Sequence, residues 1–213
     1  MRRLLWVVLF LLAVSPVSAQ LVMMKTGKTE KGWKRAFYSA SAELAVQEFD
    51  RDWNLKKMKG RIPDGVAREY DGSGRLIRIY NYKNNRREGE SKVYYENGKI
   101  KSIKNYRRDI LEGVSRSFYS DGALETERIY KKGKLDGSCR KCDEKGTLLF
   151  EYNYSAGEQD GITRQYTSEG VLIGEYNFKK GKLDGESKIY NSDGTLTGID
   201  TYRGGDLIRK QAY

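Results

Sequence analysis

Apolar and polar positions alternate with a period of two along most of the chain beyond residue 20, the pattern of half-buried β-strands. In Leu148-Leu149-Phe150-Glu151-Tyr152-Asn153-Tyr154, the residues Leu148, Phe150, Tyr152 and Tyr154 share one face, because successive strand side chains point to opposite sides. These stretches are too short for helices. They run into Asn97-Gly98, Asp121-Gly122, Glu169-Gly170 or Asp193-Gly194, where glycine supplies the positive φ of a tight turn. A second strand follows each turn and ends in another turn, as in Lys131-Lys132-Gly133-Lys134-Leu135-Asp136-Gly137.

The hairpins recur with a fixed period. Gly65, Gly89, Gly113, Gly137, Gly161 and Gly185 lie 24 residues apart. Five residues after each comes Tyr70, Tyr94, Phe118, Cys142, Tyr166 or Tyr190, and nine after each a second glycine, Gly74, Gly98, Gly122, Gly146, Gly170 or Gly194. Leu76, Ile100, Leu124, Leu148, Leu172 and Leu196 follow, then Tyr82, Tyr106, Tyr130, Tyr154, Phe178 and Tyr202. Five columns agree across six units without an insertion. The expected fold is therefore all-β: tandem antiparallel β-hairpin repeats of 24 residues forming one elongated twisted sheet.

The pattern Gly-x4-Tyr-x3-Gly-x-Leu-x5-Tyr-x2-Gly-x-Leu-Asp-Gly resembles the variant form of the MORN repeat, over Asp64 to about Leu207. The resemblance implies hairpin arrays used as scaffolds or binding surfaces, contact with phospholipid or protein, and no catalytic residues. Some relatives are labelled antitoxin components, which leaves a partner-neutralising role as an alternative. Asn85 and Asp109 stand where later units have Gly133, Gly157, Gly181 and Gly205, so the first two second turns are expected to be looser or longer.

The array has ends. Residues 20–64 read as an N-terminal cap in which Gly32-Trp33-Lys34-Arg35-Ala36-Phe37-Tyr38-Ser39 aligns with Gly113-Val114-Ser115-Arg116-Ser117-Phe118-Tyr119-Ser120, a degenerate repeat carrying an insertion. A short helix over Ala42 to Phe49 is the rival reading. Six repeats occupy residues 65–208, and residues 209–213 make a polar sheet edge. A single sheet has to bury its apolar face. It must curl, be covered by residues 20–64, form a homodimer, or offer that face to a partner.

Residues 1–19 form an address rather than part of the fold. Arg2 and Arg3, the apolar run Leu4–Val14, Pro16 and Val17-Ser18-Ala19 have the order of a cleavable signal peptide, with Gln20 as the mature N-terminus. The expected location is periplasmic or extracellular, with envelope association. Removing the two arginines lowers the formal charge from +11 to +9, which favours anionic lipid, glycan or an acidic protein over nucleic acid.

Candidate chemistry is sparse. The chain has no histidine, which removes the commonest general base and metal ligand. Cys139 and Cys142 have redox-pair spacing, but on a strand they face opposite ways, one in the core and one at the surface. Their Cα atoms would be ~10 Å apart, beyond disulfide reach. Asp64, Glu88, Glu112, Asp136, Asp160 and Asp184 form an acidic column, yet neighbours one hairpin apart are separated by ~9–10 Å and cannot share a calcium ion. Turn formation explains them better.

A basic column, Arg68, Lys92, Arg116, Arg140, Arg164 and Lys188, lies two residues before the aromatic column and on its face. Stacking over the rings is one explanation. The other is a binding strip made of Arg68, Tyr70, Lys92, Tyr94, Arg116, Phe118, Arg140, Arg164, Tyr166, Lys188 and Tyr190. The reading is an exported, non-enzymatic scaffold that needs no cofactor or metal and contacts a protein, anionic lipid or glycan. The rival is an envelope-glycan hydrolase with paired carboxylates, for which Asp50 and Asp52 are the acids outside the array.

Overall fold

The computed structural model describes residues 22–39 and 42–213, and the expected signal peptide lies outside them. The described residues contain no helix and form one sheet of 21 strands. The repeat array begins with β5 (Gly65–Tyr70) and β6 (Leu76–Lys83), paired antiparallel, and the same hairpin recurs to the C-terminus. The glycine and tyrosine columns prove to be one rung of the ladder: Gly65 pairs with Tyr82, Gly89 with Tyr106, Gly113 with Tyr130, Gly137 with Tyr154, Gly161 with Phe178 and Gly185 with Tyr202.

Two residues beyond each of these glycines sits a small residue, Ala67, Ser91, Ser115, Cys139, Thr163 or Ser187, and all six are buried. Their cross-strand partners are larger: Tyr80, Lys104, Arg128, Tyr152, Tyr176 and Asp200. A thin sheet buries what it can by letting long side chains lie over short ones on the same face.

The first turn of each unit spans five residues. Gly98 N donates to Tyr95 O at 3.0 Å, Tyr95 N to Lys99 O at 2.8 Å, and Gly98 takes φ +80. This is the hairpin loop in which a left-handed glycine closes a type I turn. The second turn is a two-residue loop with positive φ at both positions, as in Lys132-Gly133 and Lys180-Gly181. Asn84-Asn85 and Arg108-Asp109 have the same length and the same left-handed backbone, so the expectation of looser or longer turns in the first two repeats is overturned. Asn and Asp are the residues other than glycine that visit this region most readily.

The acidic column supports those turns. The carboxylates of Asp64, Glu88, Glu112, Asp136, Asp160 and Asp184 accept the backbone N–H of Asn84, Arg108, Lys132, Ala156, Lys180 and Gly204, each 20 residues on. These are the first residues of the second turns. From the second repeat on, the next N–H donates to a carbonyl of the preceding unit, as Gly133 N does to Leu111 O at 2.9 Å. Turn is thereby laddered on turn along one margin of the sheet.

The cap consists of β1 (Val22–Thr29), β2 (Gly32–Ser39), β3 (Ala42–Phe49) and β4 (Leu55–Gly60), an antiparallel meander. The rival helix over Ala42–Phe49 is therefore a strand. The meander joins the array through β1, which runs parallel to β5. In pairing order β4 lies four strands from β5. Gly60 is level with Glu69 through Ala45, Phe37 and Met24. In a flat sheet Gly60 and Gly65 would be more than ~20 Å apart, whereas five residues span at most ~18 Å. The meander must curl back over the sheet, and its curl encloses the core: Val22, Met24, Phe37, Ala45, Ile62, Ala67 and Tyr82. Curling and coverage by the cap strands together bury the apolar face of the first repeat.

The five-residue turn also appears in the cap, at Asp50–Asn54. Asp50 N donates to Asn54 O at 3.0 Å and Trp53 N to Asp50 O at 3.2 Å, as Asp71 N does to Arg75 O and Gly74 N to Asp71 O. The structural counterpart of a repeat is thus the β3–β4 hairpin, and Trp53 stands where each later unit has glycine.

Candidate functional site

The basic column lies on the sheet face opposite the core. Its side chains do not stack on the aromatic column; no ring contact joins the two among the described residues. In the third to fifth repeats they pair with glutamates across the hairpin instead. Arg116 Nε lies 2.6 Å from Glu127, Arg140 Nε 3.5 Å from Glu151, and Arg164 bridges Glu151 at 3.3 Å and Glu175 at 3.0 Å. Opposite charges in register are the cheaper partners, because Glu127, Glu151 and Glu175 sit directly across the ladder from Arg116, Arg140 and Arg164. In the other repeats the facing residues are Ile79, Ile103 and Ile199, opposite Arg68, Lys92 and Lys188. Lys92 turns to Glu90 at 2.8 Å. The strip is a row of alternating charge at its centre with cation–isoleucine rungs toward its ends. Tyr70, Tyr94, Phe118, Tyr166 and Tyr190 are half-buried beside it.

Both cysteines are free and both are buried, so the expected surface cysteine is corrected. Cys139 pairs across the ladder with Tyr152, and Cys142 with Leu148 after a bulge. Burial pushes both thiols above their ordinary range. Thiolate is the reactive form. Modification by a disulfide reagent at pH 7.5 is therefore expected to be at least ten-fold slower in the native protein than in urea, with two thiols released; equal rates would contradict the buried placement.

Asp50 serves the cap turn. Its Oδ1 accepts the N–H groups of Asp52 and Asn54 at 3.0 and 2.9 Å, and Oδ2 accepts Asn54 Nδ2 at 3.0 Å. These bonds, the Asn54 ones first and Lys56 after them, lower its pKa from 3.8 to about 2. Stabilisation of this turn is complete above the ordinary carboxylate range and is lost as pH falls through about 2. A carboxyl carbon titration by NMR is expected to find Asp50 still ionised at pH 3; a midpoint near 4 would refute the capping role.

A group of residues outside the expected strip lines a concavity. On the core face, where cap meets array, Arg35, Gln47, Phe49, Trp53, Asn54, Arg78, Tyr80, Tyr82, Arg87 and Asp109 line a cleft of about 550 Å³. Its sequence signal was Arg35 itself, a charge sharing the apolar strand face of Trp33 and Phe37.

A model of the MORN repeat variant matches residues 63–84, 87–108, 111–132 and 159–180, units spaced by one or two 24-residue periods. The chain belongs to the MORN repeat variant family. The fourth and sixth units fall outside the matches but keep the hairpin pairing and turn geometry of the MORN-variant repeats around them. Such repeats are in general binding or scaffold modules without enzymatic activity, directed at proteins or membrane lipids. A search of curated proteins finds no match.

Proposed function

We propose that this MORN-variant chain is an exported, non-catalytic scaffold that engages an envelope component through the charged face of its repeat sheet. The observation that carries the reading is the ladder Arg116–Glu127 and Arg140–Glu151–Arg164–Glu175, lying along a sheet face that no other strand covers among the described residues. A ladder of alternating sign does little to attract a uniformly anionic lipid surface. It suits a protein whose own charges match its spacing, since complementary charge sets register and suppresses wrong partners. An anionic lipid or glycan fits the cation–isoleucine rungs toward the ends better. Export rests on the basic, apolar and small-residue segments of residues 1–19. Against the hydrolase alternative, which rested on Asp50 and Asp52, stands the engagement of both Asp50 carboxylate oxygens in the cap turn.

The test exchanges charges within rungs. Arg116→Glu with Glu127→Arg, Arg140→Glu with Glu151→Arg, and Arg164→Glu with Glu175→Arg together keep the internal pairs while inverting the pattern. Capture of cross-linked partners from the native envelope is expected to fall at least ten-fold with unchanged circular dichroism. An unchanged set of partners would overturn the assignment to this face.

A further inference from the structure

We infer that the cleft between cap and array is a binding site for an acidic sugar unit. Three arginines line it, and two are already neutralised: Arg78 by Glu69 at 2.7 Å and Arg87 by Asp109 at 2.9 Å. Arg35 is different. It is 8 % exposed, and no carboxylate lies within salt-bridge distance of it among the described residues. Its bonds are long ones, 3.3 Å from Nε to Thr26 Oγ1 and 3.5 Å from Nη1 to Tyr82 Oη. Its guanidinium lies 5.3–5.7 Å from the ring centres of Tyr80, Phe49 and Trp53, held in place with donors to spare. Beside it Gln47, 5 % exposed, has an Oε1 that accepts no hydrogen bond within the protein. The cleft therefore offers one uncompensated positive charge and one buried acceptor, the complement of a single anionic group with an adjacent hydroxyl.

Trp53 adds the third element. It is 44 % exposed and holds φ 65 in a turn whose counterparts in all six repeats are glycine. A bulky residue in left-handed backbone persists where its side chain is needed. The indole stacks on Trp33 at 4.7 Å and presents a flat rim above Arg35. Flat rings beside amide and carboxylate side chains, here Gln47, Asn54 and Asp109, suit a pyranose: C–H groups on the ring face, hydroxyls on the polar groups. The volume accommodates one or two sugar rings.

The test titrates the mature protein with a glucuronate-containing tetrasaccharide, following indole fluorescence, since Trp33 and Trp53 are the tryptophans beyond the signal segment. Saturable quenching is expected, with at least ten-fold weaker binding of the neutral glucose tetrasaccharide and of glucose 6-phosphate. Trp53→Gly keeps the turn and is expected to lose at least ten-fold in affinity, read by calorimetry; Arg35→Gln is expected to do the same. The rung-swapped protein described above should bind normally, which separates this site from the charged face. No saturable binding, equal binding of the neutral sugar, equal binding by Trp53→Gly, or tighter binding of a tetraglutamate peptide would each overturn the proposal.

Discussion

Replacing Phe37 by alanine is expected to destabilise the cap by about 3–5 kcal/mol, the range for removing a fully buried phenylalanine and leaving a cavity. Phe37 has no exposed surface and meets Tyr82 edge-on, with ring centres 5.2 Å apart. It is the largest fully buried side chain in the cluster that joins β1, β2 and β3 to the first repeat. Repeat arrays unfold by neighbour-to-neighbour terms rather than all at once. The loss should therefore appear first at one end. In protein produced without residues 1–19, indole fluorescence comes from Trp33 and Trp53 and reports the cap, while far-ultraviolet circular dichroism is dominated by the six repeats. In a urea titration the fluorescence transition of Phe37→Ala should move to much lower urea, ahead of the dichroism transition. If both moved together by a small amount, the curled cap would not be the independent, Phe37-centred unit described above.

Gly60→Ala carries the second large effect, about 3–5 kcal/mol from forced backbone movement added to left-handed strain. A Cβ built on Gly60 would stand 2.1 Å from the carbonyl oxygen of Leu44 and 3.0 Å from the Cα of Ala45. Both obstacles are backbone, so no rotamer change relieves them. The site is where the chain leaves β4 to cross back to β5, and Arg61 N is bonded to that same Leu44 carbonyl. Gly181→Ala is the matched control. Its φ, +77, is almost that of Gly60 at +76, yet nothing lies within 4 Å of the new methyl. It is expected to cost only the conformational part, about 1–2 kcal/mol. Unfolding in urea of the two variants should separate strain from collision. Equal losses would mean that the crossing is not tightly packed at Gly60.

The repeat was legible because its rules are local. A period of two, glycines at turns and tyrosines at fixed offsets act within a few residues, and six copies make each column visible. The two-residue turns containing Asn85 and Asp109 were misjudged for want of one fact, that Asn and Asp enter left-handed backbone easily enough to keep the turn length. Strand alternation gives the basic column a face but not its partners. Glu127, Glu151 and Glu175 stand opposite only once the hairpin register is known, and they hold the arginines that the neighbouring rings do not.

The cleft was beyond reach for a different reason. Arg35, Gln47, Trp53, Tyr80 and Arg87 come from strands and turns that no periodicity relates, and they converge because the crossing from Gly60 to Gly65 is too short for a flat sheet. That Trp53 occupies a glycine's position is visible only in the backbone, since its turn shares with Asp71–Arg75 a leading aspartate and little else. By itself the sequence determined an all-β array of 24-residue hairpins, its strand faces and the family it resembles, all consequences of short-range side-chain and turn chemistry. The tertiary structure alone decided how the array begins: a parallel joint between β1 and β5 and a meander curled over the first repeat. Closing a chain over four strands depends on contacts between distant residues, which leave no period in the sequence.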